Sequence, residues 1–442
     1  MKHEMEVVAG PTQRLVHFMD RVSPVNFVLV ADVRGPLGDD RLVAALAKLQ
    51  AHHPLLRVRL SEEGRGLARS YVFREEGVPA PELRAAPESA LAADGLTHAV
   101  EAELADHFDV ERGPLFRLTI ARGTDDRSRL LLTMHHMIAD GASAAIVLRD
   151  MLRICGGDET AGEWRPLVAA GPSFPGLGRM KALWDLVRFF VRAGAHFLTR
   201  PPAGRNAPGL NAPAAGRETG IIFRELDESE TAAVRARAKA GGATVGGLLS
   251  AAVARAVYAE AGIGRPAHVA VINAVDVRDA AGPGAAERVD LLMSFVVTFH
   301  RAGDGRDLVA LARECSAEVK RAVALREAVV PHTLASLLPS VEPGEAVRAT
   351  VRVADRFATS ASVTNVGVVD MAKEHGALTL ERVTLAPSLG FMGRFACVAS
   401  TFDGRLSLNF AYVKQVLGRD LAGRLAARCL ADLTESHQSG SR

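Results

Sequence analysis

Two adjacent histidines, His135 and His136, are followed after three residues by Asp140 and Gly141. An imidazole titrates near neutral pH. It can take a proton from an attacking hydroxyl or amine and pass it to a leaving thiolate. The apolar run 130–134 before the pair reads as a strand. After Gly141, Val147, Leu148, Met151 and Leu152 recur with helical period. A strand end holds one side chain firmly, while the first amides of a following helix are unpaired and can face a ligand. An oxyanion formed when a thioester carbonyl is attacked could therefore bind the Gly141 amide. A glycine there would let substrate approach the backbone closely. A second pair, His52-His53, is a control: it ends a helix before Pro54, no Asp-Gly follows, and it reads as structural.

The surrounding elements must position that segment. Residues 26–32 form an apolar, β-rich run. Helix 39–53 places Leu42, Leu46 and Leu49 on one face, with Asp39 or Asp40 able to cap it. Pro54 ends this helix, and 55–60 alternates as a strand. Residues 115–121 and 129–134 read as two strands joined by the polar turn 122–127. In the second half, 244–259 and 308–325 read as helices and 269–275 as a strand. Residues 395–402 and 405–412 form a hairpin about Asp403-Gly404. The glycine-rich stretch 241–247 lacks the Lys-Ser/Thr of a phosphate loop and reads as close-packed helix entry.

A Pro- and Gly-rich stretch from Pro201 to Gly216 marks a junction. The predicted division is an N-terminal lobe 1–175, a bridging segment 176–217 and a C-terminal lobe 218–442. Within the bridge, 180–199 carries Leu183, Trp184, Leu186, Val187, Phe189, Phe190 and Phe197 among Lys181, Arg188 and Arg192. It reads as a helix packed on the domains; the alternative is a surface helix that meets lipid or a greasy substrate.

The segments 108–118 and 131–141, with Gln13–Asp20, His53–Arg59, Thr244–Ala254 and Ser362-Val363-Thr364-Asn365-Val366-Gly367, resemble the condensation-domain superfamily. That group is similar in fold to chloramphenicol acetyltransferase. It includes peptide-synthetase condensation domains, wax ester synthases and polyketide-associated acyltransferases of mycobacteria. The resemblance implies an α/β layered fold of two such lobes, meeting at a V-shaped cleft crossed by a tunnel. It implies that His136 is the catalytic base and that Asp140 is a structural partner held by an arginine of the second half. Arg278, in the segment Ile272-Asn273-Ala274-Val275-Asp276-Val277-Arg278, is the candidate. His135 is expected to orient the loop, and Asn365 to line the substrate tunnel. Thr364-Asn365 stands where a Ser-Asn pair is usual, and Leu292-Met293-Ser294-Phe295 replaces a frequent Gly-Asn. An Asp-Phe-Gly-Trp-Gly segment is lacking, which separates the chain from the plant alcohol acyltransferase branch.

At 442 residues two domains are expected, and 48% hydrophobic with 24% charged residues predicts a packed fold throughout. A net charge of +2 gives no reason to expect nucleic acid as a partner. Cys155, Cys315, Cys397 and Cys429 lie far apart, so buried thiols are expected rather than disulfides or a metal site. Neither a leader pattern nor a transmembrane run is read, and the expectation is a cytoplasmic, two-lobed monomer. No tightly bound cofactor is expected. The resemblance implies an acyl donor on coenzyme A or on a carrier protein's phosphopantetheine arm, and an alcohol or amine acceptor. Three activities are compatible: a free-standing acyltransferase of natural-product or lipid biosynthesis, a condensation catalyst joining two carrier-bound groups, and a non-catalytic module that only docks carriers. An intact motif and the want of an attached adenylation or carrier region favour the first.

Overall fold

The structure is a computed structural model that describes residues 6–64, 69–158, 163–167, 179–199, 216–261, 266–303, 305–337, 361–389 and 393–435. The first part of the chain runs β1 (Glu6–Val8), α1 (Pro11–Asp20), β2 (Asn26–Arg34), α2 (Asp39–His52), β3 (Arg59–Glu63), β4 (Ser70–Arg74), β5 (Leu83–Ala85), α3 (Ala93–Ala105), β6 (Phe116–Arg122), β7 (Arg127–His135) and α4 (Gly141–Cys155). The bridging helix α5 (Arg179–Thr199) follows. The second part runs β8 (Thr219–Leu226), α6 (Glu228–Ala240), α7 (Val245–Glu260), β9 (Ala267–Asp276), β10 (Met293–Ala302), α8 (Leu308–Ala324), α9 (Val330–Leu337), β11 (Ala361–Val368), β12 (Glu374–His375), β13 (Leu378–Pro387), β14 (Phe395–Phe402), β15 (Arg405–Val413) and α10 (Arg419–Thr434).

These elements form an α/β fold built on two six-stranded sheets, ordered β12-β13-β2-β7-β6-β5 and β10-β9-β11-β14-β15-β8, with a small sheet β1-β4-β3 beside them. Each large sheet has its own apolar core, one around Leu29, Leu46, Leu132 and Leu148 and the other around Leu248, Val271, Leu311 and Phe410. The predicted division at 218 needs one correction. Strand β13 pairs antiparallel with β2, from Thr379 against Arg34 to Pro387 against Phe27. Residues 374–387 therefore complete the first sheet, although they lie in the second half of the sequence. The edge of β2 left open by β7 needs a backbone partner, and that partner comes from far along the chain. The Pro- and Gly-rich stretch 201–215 lies outside the described residues.

Several local expectations hold. Asp403 (φ 46°) and Gly404 (φ 75°) are both left-handed, as a two-residue hairpin turn requires. Thr244 caps α7 by accepting from the Gly247 amide at 3.0 Å. A Cβ on Gly247 would stand 2.0 Å from Ser316 Oγ, so glycine is needed for close packing there. All four cysteines are buried and free of disulfides.

Two expectations fail. Helix α2 is entered through Gly38 without a side-chain cap, and Asp39 and Asp40 occupy its first turn, where they favour the positive helix end. Residues Pro54–Arg57 form a 3-10 turn, not the start of a strand. Proline's fixed φ starts the turn, and Leu55 and Leu56 both go into the core.

The strand that delivers the histidines is fastened by a buried polar cluster. Glu103 of α3 accepts from Arg117 Nε at 2.7 Å and from Thr133 Oγ1 at 2.7 Å, tying α3 to β6 and β7. The Arg117 guanidinium also lies 4.4 Å from the centre of the Phe108 ring.

Candidate active site

His135 closes β7, and residues 136–139 form the turn into α4. The His136 amide donates to Val25 O at 3.0 Å, pinning the turn to the start of β2. Its imidazole Nδ1 lies 3.2 Å from Ala139 O. A carbonyl can only accept, so Nδ1 carries the proton and Nε2 keeps its lone pair. The Phe27 ring packs 4.5 Å from the imidazole centre. Desolvation by these surroundings pushes the His136 pKa down to about 4, outweighing the Ala139 carbonyl and Asp140, which act to raise it. The ring is therefore neutral at physiological pH and offers a proton acceptor.

Nε2 belongs to a side chain that lines a cavity of about 210 Å³. The walls are mostly apolar: Leu15, Val16 and Met19 of α1, Leu291, Met293 and Leu389. Thr12, Ser294, His332 and Ser388 add a few polar groups. An apolar pocket with a few polar groups and a perturbed histidine is the usual form of a small-molecule site.

Asp140 is spent on structure rather than on His136. It caps α4 by accepting from the Ser143 amide at 2.9 Å, and it accepts from the Leu292 amide at 2.9 Å. Arg278 donates to both of its carboxylate oxygens, at 2.9 and 2.7 Å, in a two-pronged pair. Burial alone would lower the Arg278 pKa, but Asp140 beside it keeps the guanidinium above its ordinary value. Arg278 Nη2 also donates to Ser143 Oγ at 2.9 Å, and that hydroxyl donates to Asp290 O at 2.7 Å. The start of α4 is thus bolted to the segment between β9 and β10.

His135 is fully buried. Its Nδ1 accepts from the Met137 amide at 3.0 Å, and its Nε2 lies 3.2 Å from an Asp20 carboxylate oxygen. Asp20 also accepts from the Val25 amide at 3.1 Å. Helix α1 is fixed at its other end by Gln13, which accepts from the Gly10 amide and reaches Asp290 at 3.3 Å. Asp20, Gln13, Ser143, Asp290 and the Leu292 amide were not foreseen. Gln13 and Asp20 lie in the opening segment that carried the family resemblance, which was their only advance signal.

The structure brings His135, His136, Asp140, Gly141 and Arg278 together. Asn365 is not among the residues that line this cavity. Asn365 is exposed in a bulge of β11, where its Oδ1 accepts from the Gly367 amide at 3.0 Å. At Gly141 the surroundings that call for glycine are side chains of the fold. A Cβ there would point at Leu385 Cδ2 (3.2 Å) and Val366 Cγ2 (3.5 Å), so the missing side chain makes room for β13 and β11. His52 and His53 sit with Asp150, His53 Nε2 being 3.1 Å from its carboxylate. Asp150 also accepts from Arg149 at 3.0 Å, a cation that competes with any metal at that trio.

The neutral imidazole sets the sign of the pH dependence. A general base works only while unprotonated, so activity should be full above the folded pKa and lost as pH falls through it. Were His136 to act as a general base, its pKa at about 4 would keep kcat/KM on its plateau at pH 5 and halve it near pH 4. A midpoint near the ordinary histidine value of about 6.5 would show that burial does not depress the His136 pKa in the substrate-free protein.

Residues 10–163 match the family model of the condensation domain, and residues 223–411 match that of the phthiocerol/phthiodiolone dimycocerosyl transferase C-terminus. The phosphinothricin tripeptide synthetase PhsC of Streptomyces viridochromogenes is 31% identical over 154 residues, which are 34% of this chain and 14% of that protein. Surfactin synthase subunit 1 of Bacillus subtilis is 26% identical over 161 residues, 36% of this chain and 4% of that protein. The chain thus matches only a small part of the length of these relatives. Among solved structures, the first condensation domain of the calcium-dependent antibiotic synthetase aligns with a TM-score of 0.70 at 17% identity, covering 98% of this chain and 96% of that one. A trichothecene 15-O-acetyltransferase from Fusarium sporotrichioides gives 0.72 at 11% identity, covering 97% and 95%. The polyketide synthase associated protein 5 of Mycobacterium tuberculosis gives 0.64 at 14% identity, covering 97% and 99%. At these identities the structural likeness is one of fold.

Proposed function

We propose that this chain, which matches the condensation-domain model over 10–163 and the dimycocerosyl transferase C-terminal model over 223–411, moves an acyl group from a thioester to an alcohol or amine, with His136 as general base. The observation that carries this reading is the neutral His136 imidazole, its Nδ1 proton held by Ala139 O, on the wall of an apolar cavity. Nε2 takes the proton of the acceptor's O–H or N–H as its heteroatom attacks the thioester carbon. The carbonyl becomes an oxyanion, for which the amides at the start of α4, Gly141 first, are the nearest helix-end donors in sequence. Collapse breaks the C–S bond, and the imidazolium returns the proton to the departing thiolate. An ester or amide and a free thiol result. Apolar walls exclude water that would otherwise hydrolyse the thioester.

The donor is an acyl coenzyme A or an acyl carrier protein, and no resident cofactor takes part in this scheme. The condensation-domain match over 10–163 and the synthetase relatives favour a second reading, in which both reactants arrive on carrier proteins. Intact-mass assays with acyl-coenzyme A and acyl-carrier donors, each with alcohol and amine acceptors, distinguish the two. The expected result is acceptor-dependent loss of the acyl mass from one donor class with matching thiol release. Acyl loss independent of acceptor would mark a hydrolase and sink the proposal.

A further inference from the structure

Exposed large apolar side chains concentrate on one helix. In α5, Met180, Leu183, Trp184, Val187, Phe190 and Val191 are all solvent-exposed, Met180 at 80%, Trp184 at 65% and Val191 at 68%. Their spacing of three and four residues puts them on one face. Single exposed apolar residues are ordinary, but a continuous stripe of this kind marks an interaction surface.

The opposite side of α5 is well fastened. Asp185 and Leu186 are buried. Arg188 donates to Asp185 at 2.9 Å and also reaches Leu325 O, while Arg192 pairs with Glu327. Helix α5 packs on α9, whose Pro331 and His332 line the cavity that holds His136. The stripe is therefore held outward on a rigid mount, one helix away from that cavity.

Charge decides the kind of partner. Asp185 and Glu327 lie beneath the helix at 5% and 3% exposure, and the partly exposed Glu318 of α8 is taken up by Arg192 and Arg321. Lys181 is exposed at the start of the stripe, and neighbouring α8 carries exposed Lys320, Val323 and Arg321, the last paired with Glu318. The outward surface is thus apolar along its centre and mainly cationic at its margins. A protein partner is fixed in register by polar groups among the apolar contacts, and the six-residue stripe contains none. A bilayer needs no register, only an apolar face and cations that reach anionic headgroups.

We propose that α5 docks this protein on an anionic lipid surface, lying in the plane of the interface with Trp184 at its centre. The helix does not cross: among the described residues no single helix is long and apolar enough to span a membrane. This inference does not depend on acyl transfer, because its test needs no turnover.

The test is flotation of the full chain with vesicles of phosphatidylcholine containing about 30% phosphatidylglycerol, against vesicles of phosphatidylcholine alone. The wild type should float with the anionic vesicles and markedly less with the neutral ones. Leu183→Asp combined with Val187→Asp should weaken binding by about tenfold or more, with an unchanged melting temperature because both side chains face solvent. Lys181→Glu combined with Lys320→Glu should erase the preference for anionic vesicles, and Trp184→Phe should bind nearly as wild type. A wild type that stays with the unfloated fraction overturns the proposal, as does an aspartate variant that floats equally well. Sedimentation showing a dimer that the aspartate variant abolishes, without vesicle binding, would assign the stripe to a second copy of the chain and overturn it too.

Discussion

Replacing His136 with alanine is expected to lower kcat/KM for acyl transfer by about 10²–10⁴-fold, the range typical of a lost general base. The melting temperature should hardly move. Among the described residues the imidazole makes one hydrogen bond, to Ala139 O, and it already borders a cavity, so truncation enlarges an existing space rather than opening a new one in a packed core. His136→Gln is the informative companion, because its amide can still donate to Ala139 O but cannot accept a proton at neutral pH. Both variants should lose turnover while keeping thioester binding. Normal turnover by His136→Ala with the true substrates would remove His136 from the mechanism.

Arg278→Ala is expected to act the other way round, through stability first. It would strand the Asp140 carboxylate, 1% exposed, with two backbone amides and no countercharge. Breaking a buried pair from one side typically costs about 3–5 kcal/mol, so thermal melts should fall by several degrees. Activity should fall with it, because Asp140 caps α4 directly after the His136 turn. Arg278→Lys keeps the charge but cannot make the two parallel bonds, and should be intermediate in both measurements. Adding Asp140→Asn to Arg278→Ala should recover part of the lost stability, since the carboxylate left without its countercharge is then gone. That coupling is the signature of a direct pair. An unchanged melting temperature in Arg278→Ala would mean that the pair does not hold the site.

What was legible in the sequence follows from range. Periodicity, caps and turn chemistry depend on residues a few positions apart. Hence helices such as α7, with Thr244 at its start, and the hairpin about Asp403-Gly404 could be read directly. The strand, turn and helix that carry His135, His136, Asp140 and Gly141 are equally local, and their chemistry is intrinsic to the residue types. The pairing of Arg278 with Asp140 was anticipated only through the family resemblance, since nothing in the spacing of residues 138 apart announces a contact. Asn365 illustrates the opposite case. Its motif was visible, yet the bulge that turns its side chain toward the Gly367 amide depends on how β11 lies against β14.

The sequence by itself determined where the candidate base stands: a histidine at a strand end, a short turn before a helix. Only the tertiary structure decided which form that histidine takes and what holds it. The Ala139 carbonyl that selects the tautomer belongs to the same turn, but burial beside Phe27 of β2 is what keeps the ring neutral. Asp20 steadies its neighbour His135, and the edge of its sheet is completed by residues 374–387. Desolvation and a buried carboxylate's choice of partners are properties of packed surroundings. They arise where distant segments meet, and no local pattern encodes them.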